Sequence, residues 1–320
     1  MRNTQFCDCY CAHSEETNVG HEIQQRVAVV GIGQMGRGMA ICLKRAGFDV
    51  IGYDVSEASR TLAAQDGIAV ASELADALKD REVILSSLPN PPITREAWLG
   101  DGGILEHASK GAIGIELSTI DPNTMREIAA AADQRGIRMI DAPVSGDPAN
   151  ALKGELVLIT GGRQEDISAV DSILDCLAGS RHWTGDIGTG KAVKIVNNMM
   201  TMGNLVIASE AFALGTAAGV DPEKLFEILS QSGGRSHQFI KRFPSAIAGD
   251  FYDKAPFRME LGEKDVALGI ELGRQIQQPT PAASTVREMI SLGMATGNLG
   301  RDIVAMLDFY QKLGSRKTSK

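Results

Sequence analysis

The chain has 320 residues, 43% of them hydrophobic, enough to bury a full core and to form two domains rather than one. Its 32 basic and 40 acidic side chains leave a formal charge of −8 and a pI near 5.3, and no cluster of Lys and Arg offers the footprint of a nucleic-acid binder. No apolar run approaches the roughly 20 residues needed to cross a bilayer, so no membrane span is expected.

Residues 1–25 lack hydrophobic periodicity and carry Asp8, Glu15 and Glu16 with no central apolar stretch, which matches neither a secretory signal nor a transit peptide. A flexible tail is predicted there. Cys7, Cys9, Cys11 and His13 are soft ligands, but their spacing is not that of a closed zinc site and no second ligand pair follows, so no metal site is predicted. With only Cys42 and Cys176 in the body, the five unevenly placed cysteines suit a reducing compartment, and a cytoplasmic protein is expected.

From Arg26 the pattern changes. Val27-Ala28-Val29-Val30 is a short apolar run that ends in glycines and leads into helical spacing from Met35 to Ala46. Between them lies Gly31-Ile32-Gly33-Gln34-Met35-Gly36. In this spacing the first glycine permits a tight turn, the second lets backbone approach a pyrophosphate, and the third packs helix on strand. The motif alone is also an ordinary turn; between a strand and a helix it predicts a dinucleotide site on the helix N-terminus. Asp54, at the end of the next apolar run (49–54), is placed to accept hydrogen bonds from the adenosine ribose and to repel a 2′-phosphate, which favours NAD over NADP. Arg60 nearby is the one residue that argues the other way.

Further strand signals follow at 83–88, 113–118, 138–141 and 156–159, separated by helical segments. This alternation predicts an open parallel α/β sheet buried on both faces. After Gly188 only helical periodicity remains, with Asp221-Pro222 repeating the helix-start device of Asp121-Pro122. The predicted organisation is a tail (1–25), a Rossmann-type dinucleotide-binding domain (26–188) and an all-α C-terminal domain (189–320) for substrate binding and oligomerisation. Leu205, Ile207, Phe212 and Leu214 along one long helix suggest surface for a homodimer or homotetramer.

The helix that opens at Gly188 carries Lys194 and Asn198, four apart and so on one face. Facing a cleft between the domains, such a lysine can serve as acid or base if burial lowers its pKa. A solvated lysine and an asparagine facing a neighbouring helix are the plainer alternative.

Taken together, 31–36, Leu88-Pro89-Asn90, 118–122, 141–146, 188–198 and Lys264-Asp265 resemble the β-hydroxyacid dehydrogenase family, of the 3-hydroxyisobutyrate dehydrogenase and tartronate semialdehyde reductase type, in order over residues 26–310. The resemblance implies an NAD(H)-dependent oxidoreductase interconverting a small anionic 3-hydroxy acid and its semialdehyde. It further implies Lys194 as catalytic acid/base, Asn198 as its partner on substrate, Ser145 and Gly146 as the loop receiving the substrate carboxylate, and Leu88, Pro89, Thr119 and Lys264 near the nicotinamide. Asp147 stands where many relatives have a second glycine, and a carboxylate is tolerable there only if it points away and offers just its backbone N–H. Two other readings are an imine reductase on the same scaffold and a non-catalytic dinucleotide-binding module. The retained Lys194 and Asn198 argue against both, and the roughly 130 residues after Gly188 are too few for a phosphogluconate dehydrogenase.

Overall fold

A computed structural model describes residues 25–251 and 257–314. The Cys7 to His13 cluster and the predicted tail before Gln25 lie outside the described residues. The first half alternates strands and helices. In order these are β1 (Arg26–Val30), α1 (Gln34–Arg45), β2 (Asp49–Tyr53), α2 (Glu57–Gln65), β3 (Ala69–Val70), α3 (Leu74–Leu78), β4 (Val83–Ser86), α4 (Pro91–Leu99), α5 (Ile104–His107), β5 (Ile113–Glu116), α6 (Pro122–Gln134) and β6 (Arg138–Asp141).

These six strands form one parallel sheet in the order β3-β2-β1-β4-β5-β6, the doubly wound arrangement that places a ligand crevice at the carboxyl ends of β1 and β4. Period-two alternation explains why the apolar runs are continuous. Val27, Val29, Val83 and Leu85 pack toward α1, while Ala28, Val30 and Ile84 pack toward Trp98, Ile104 and Ile128 on the other face.

The apolar run at 156–159 does not join this sheet as expected. After β7 (Val144–Ser145) and α7 (Pro148–Lys153) it becomes β8 (Leu156–Thr160), followed by α8 (Gln164–Ser168), α9 (Asp171–Leu177) and β9 (Ala178–Trp183). β7, β8 and β9 make a second, mixed sheet, antiparallel between β7 and β8 and parallel between β8 and β9. The short turn through Ala142 and Pro143 reverses the chain beyond β6, and a lone bridge between Asp141 and Gly161 joins the two sheets. Leu156 and Leu158 still reach the main core.

The second half is helical: α10 (Thr189–Ala217), α11 (Pro222–Gln231), α12 (His237–Ile247), α13 (Met259–Gln275), α14 (Pro281–Gly293) and α15 (Met306–Gly314). Asp121 and Asp221 each accept backbone N–H bonds ahead of a proline in the first turn, so both helix starts fall where the sequence puts them. α10, 29 residues and about 43 Å long, is the axis around which the others pack. Leu205 and Phe212 face inward into this core, whereas Ile207 and Leu214 are exposed, so the four residues read together as surface belong to two faces.

α10 begins tight against the sheets. A methyl on Gly190 would sit 2.4 Å from the Ile159 carbonyl oxygen and 2.7 Å from Asp141 Oδ2. Neither atom is free to move, so Gly190→Ala should lower stability by about 1–3 kcal/mol, the usual cost of overpacking; an unchanged thermal melt would refute this tight seat.

Candidate active site

The β1–α1 turn meets the demands of a pyrophosphate. Gly31 has φ +85, and its N–H bonds the Tyr53 carbonyl, which sets Asp54 beside the turn. A side chain on Gly31 would strike Ser87 O at 2.3 Å, and one on Gly36 would strike Gly31 O at 1.9 Å. Gly33, by contrast, faces open space and is the N-cap of α1, with no side chain accepting from the helix and no acid in its first turn. The first N–H groups of α1, around Gln34 and Met35, are therefore uncapped and suit an anion, while Ile32 is buried in the sheet core. Asp54 Oδ1 accepts from Ser56 N, and Arg60 bonds the Asp54 and Val55 carbonyls.

Along the carboxyl edge of the sheet, Ser86, Glu116 and Asp141 are register partners on β4, β5 and β6. All three are fully buried. The sequence offered no role for this row, yet it holds the start of α10. Asp141 accepts the backbone N–H groups of Gly188 and Lys191, both at 3.0 Å. Lys191, also fully buried, sends its ammonium to the Glu116 carboxylate, to Glu116 O at 2.8 Å and to Ser118 O at 2.9 Å. Glu116 Oε1 is satisfied by Ser118 N and Ser86 Oγ, and Ser86 Oγ in turn accepts from Trp98 Nε1. Burial raises the Asp141 carboxyl despite the opposing Lys191 ammonium and the two amides.

One turn further along α10, Lys194 is 9% exposed. Burial pushes its ammonium down from the ordinary 10.5 to about 8; Asp265 opposes the shift, and the charges of Lys264 and Lys191 add to it. Asn198 lies on the same helical face, with Nδ2 2.6 Å from Asp265 Oδ2 on α13. Lys264, next to Asp265, reaches from α13 to the Pro89 and Thr119 carbonyls at 3.3 and 3.4 Å. Ser118 Oγ also accepts from Leu88 N. Lys194, Asn198, Leu88, Pro89, Thr119 and Lys264 thus gather where α10 and α13 meet the β4 and β5 edges.

Ser145, on β7, pairs with Val157 of β8, the strand whose Ile159 backs α10. Gly146 has φ +141, and a side chain there would meet Leu156 at 2.8 Å. Asp147 turns its side chain away, as a carboxylate there must, but its backbone N–H is engaged within the chain, donating to Asn150 Oδ1. The Asp147 carboxylate turns back to cap α7 through Ala149 N and Asn150 N, and pairs with Lys241 of α12 at 2.9 Å. Its charge is spent on the helix and on Lys241, whose hydrogen bond counters burial and holds the carboxyl below its usual range. Arg235 is exposed.

Fold and site together define a nicotinamide-dinucleotide-dependent oxidoreductase. Residues 26–185 match the family described as the NAD binding domain of 6-phosphogluconate dehydrogenase, and 188–310 the one described as NAD-binding of NADP-dependent 3-hydroxyisobutyrate dehydrogenase. The chain is 31% identical to 2-(hydroxymethyl)glutarate dehydrogenase of Eubacterium barkeri over 90% of its own length and 95% of the relative's. It is likewise 31% identical to the mitochondrial 3-hydroxyisobutyrate dehydrogenase of Homo sapiens, over 89% and 87%. A solved structure of Mycobacterium tuberculosis 3-hydroxyisobutyrate dehydrogenase with L-serine superposes with a TM-score of 0.81 at 26% identity, covering 89% of this chain and 99% of that one. The chain belongs to the β-hydroxyacid dehydrogenase family. An imine reductase from Myxococcus stipitatus shares the fold at 18% identity, with a TM-score of 0.61 over 89% of this chain and 99% of that one.

The pKa of Lys194 carries a stability consequence. Its folded value of about 8 lies below 10.5, so folding expels a proton between those pH values; the penalty is absent above 10.5, grows as pH falls, and is complete below about 8. Lys194→Met should therefore raise the melting temperature at pH 7, by a stabilisation on the order of 3 kcal/mol that fades in alkaline solution. A variant less stable than the wild type at pH 7 would contradict the burial penalty.

Proposed function

We propose that the chain is an NAD(H)-dependent dehydrogenase of a small 3-hydroxy acid, or equivalently the reductase of its semialdehyde, with Lys194 as general acid and base. The observation that carries this reading is a lysine buried where the two halves meet, beside an asparagine held by a buried aspartate, its ammonium pushed down to about 8 by that burial. A non-catalytic module has no use for such a residue.

The chain's own groups divide the work. The Ser145-Gly146 turn receives the substrate carboxylate. Asn198, with one amide hydrogen committed to Asp265, has the second for a substrate oxygen. Neutral Lys194 accepts the hydroxyl proton in oxidation; in reduction its ammonium returns it and stabilises the developing alkoxide. The bound nicotinamide supplies the hydride chemistry. Lys264 holds the Pro89 and Thr119 turns around that end of the cleft.

Asp54 beside the Gly31 turn favours NAD, and Arg60, tied to two carbonyls, offers less to a 2′-phosphate. Relatives named for 2-(hydroxymethyl)glutarate, 3-hydroxyisobutyrate, L-threonate and 3-sulfolactaldehyde share an anionic group and a hydroxyl or aldehyde carbon, which bounds the substrate class. Exposed Val193, Val196, Met200, Ile207 and Leu214 along α10 support a homo-oligomer. The unjoined Cys42 and Cys176 thiols, 3.7 Å apart, fit a reducing cytoplasm.

A panel of 3-hydroxyisobutyrate, glycerate, threonate and 4-hydroxybutyrate with NAD and NADP, followed at the nicotinamide absorbance, tests the reading. Turnover of at least one acid with higher kcat/KM for NAD is expected, and Asp54→Ala should narrow that gap. Lys194→Ala should lower kcat by about 10² to 10⁴ without loss of NAD affinity, and Lys194→Arg should not restore it, because a guanidinium releases no proton near neutrality. Oxidation should rise with pH through a midpoint near 8 as the amine loses its proton, and reduction should fall through the same midpoint. Near-normal kcat in Lys194→Ala would refute the assignment.

A further inference from the structure

We propose that Lys191 is a positioning residue for Lys194, fixing the first turn of α10 against the Ser118-Thr119 loop through its bonds to the ends of β5 and β6. The proposal rests on the acid and base role of Lys194.

Lys191 is held at both of its ends. Its backbone N–H is bound by Asp141 at the end of β6, and its ammonium is bound by Glu116 and Ser118 at the end of β5. Three acceptors satisfy the three N–H bonds of the ammonium, and the side chain is fully buried, so it has no alternative partner in water. Glu116 in turn is fixed by Ser118 N and Ser86 Oγ. The anchor is therefore directional, unlike an apolar contact that tolerates sliding.

Lys194 follows three residues later on the same helix, and a slip of the first turn would carry its amine with it. The Ser118-Thr119 loop is bound from two sides, Ser118 O by Lys191 and Thr119 O by Lys264. The two lysines thus set the separation between the cofactor edge and the α10 face that bears Lys194. Lys191 also presents a fixed positive charge to Lys194. The other charges facing Lys194 are Lys264 and Asp265 of α13, while Glu116 of β5 and Asp141 of β6 face Lys191.

Removing the lysine alone would strand the Glu116 carboxylate in the interior, so the decisive variant is Lys191→Met with Glu116→Gln. It leaves no buried charge at the pair, and the glutamine amide can donate to the Ser118 carbonyl that the ammonium vacates. The assay uses the fastest acid of the panel with NAD, thermal melting for the fold, and Lys194→Ala in parallel. The double variant should melt close to the wild type and keep KM for NAD within about threefold, yet lose about 10- to 100-fold in kcat. The pH midpoint of kcat should move upward, because a cation facing Lys194 has gone. Wild-type kcat with an unmoved midpoint would overturn the proposal by making Lys191 a fastener only. Loss of the fold or of NAD binding would overturn it in favour of a general structural role. An active Lys194→Ala would instead sink the reading beneath it.

Discussion

A fully buried ammonium paired with Glu116, on a residue whose backbone N–H is bound by Asp141, sets the register of the helical half on the sheet, and the placing of the site depends on that register. Glu116 and Asp141 are register partners at the carboxyl edge of a parallel sheet, where two negative charges side by side in the interior need a counter-charge. Lys191 supplies it, and the N-terminus of a 29-residue helix adds its own partial positive charge beside Asp141. Because the charge is carried by α10, satisfying the sheet edge and docking the helical half are one event. The junction of the two halves and the seat of Lys194 follow from it.

The same junction sets the electrostatics of the cleft. Burial of Lys194 disfavours its charged form, and Lys264 and Lys191 reinforce this against the single opposing carboxylate of Asp265. A lysine in water would remain protonated at neutral pH and could not accept a proton; one near 8 exchanges protons in either direction close to working pH. The site is thus less stable than an apolar packing of the same space, a familiar relation between function and stability.

Much of the first half was legible in the sequence because its signals are local. The continuous apolar runs of β1, β2, β4, β5 and β6 require burial on both faces, and the Gly31 to Gly36 spacing has meaning between a strand and a helix. What failed was non-local. The run at 156–159 announces a strand but not which sheet it joins, and β9, with Arg181 and His182 in a half-exposed strand, carries no apolar alternation. Leu205 and Phe212 are seven apart, as are Ile207 and Leu214, so helical spacing separates an inner pair from an outer one but does not say which is which. Lys191 lay in plain view three residues before Lys194, yet its carboxylate partners are 75 and 50 residues away in the chain, and a lysine read by itself is a surface residue. Charged residues closing otherwise apolar strands, Glu116 and Asp141, were the signal that could have revealed it.

The most direct test of this account is the ionisation of Lys194 itself, followed by NMR of lysine labelled with ¹³C at the ε carbon and assigned by comparison with Lys194→Met. Lys194 should titrate near 8, well below the ordinary lysine value of 10.5. A Lys194 resonance that titrates near 10.5 would contradict the buried amine on which the site's pH dependence and chemistry rest.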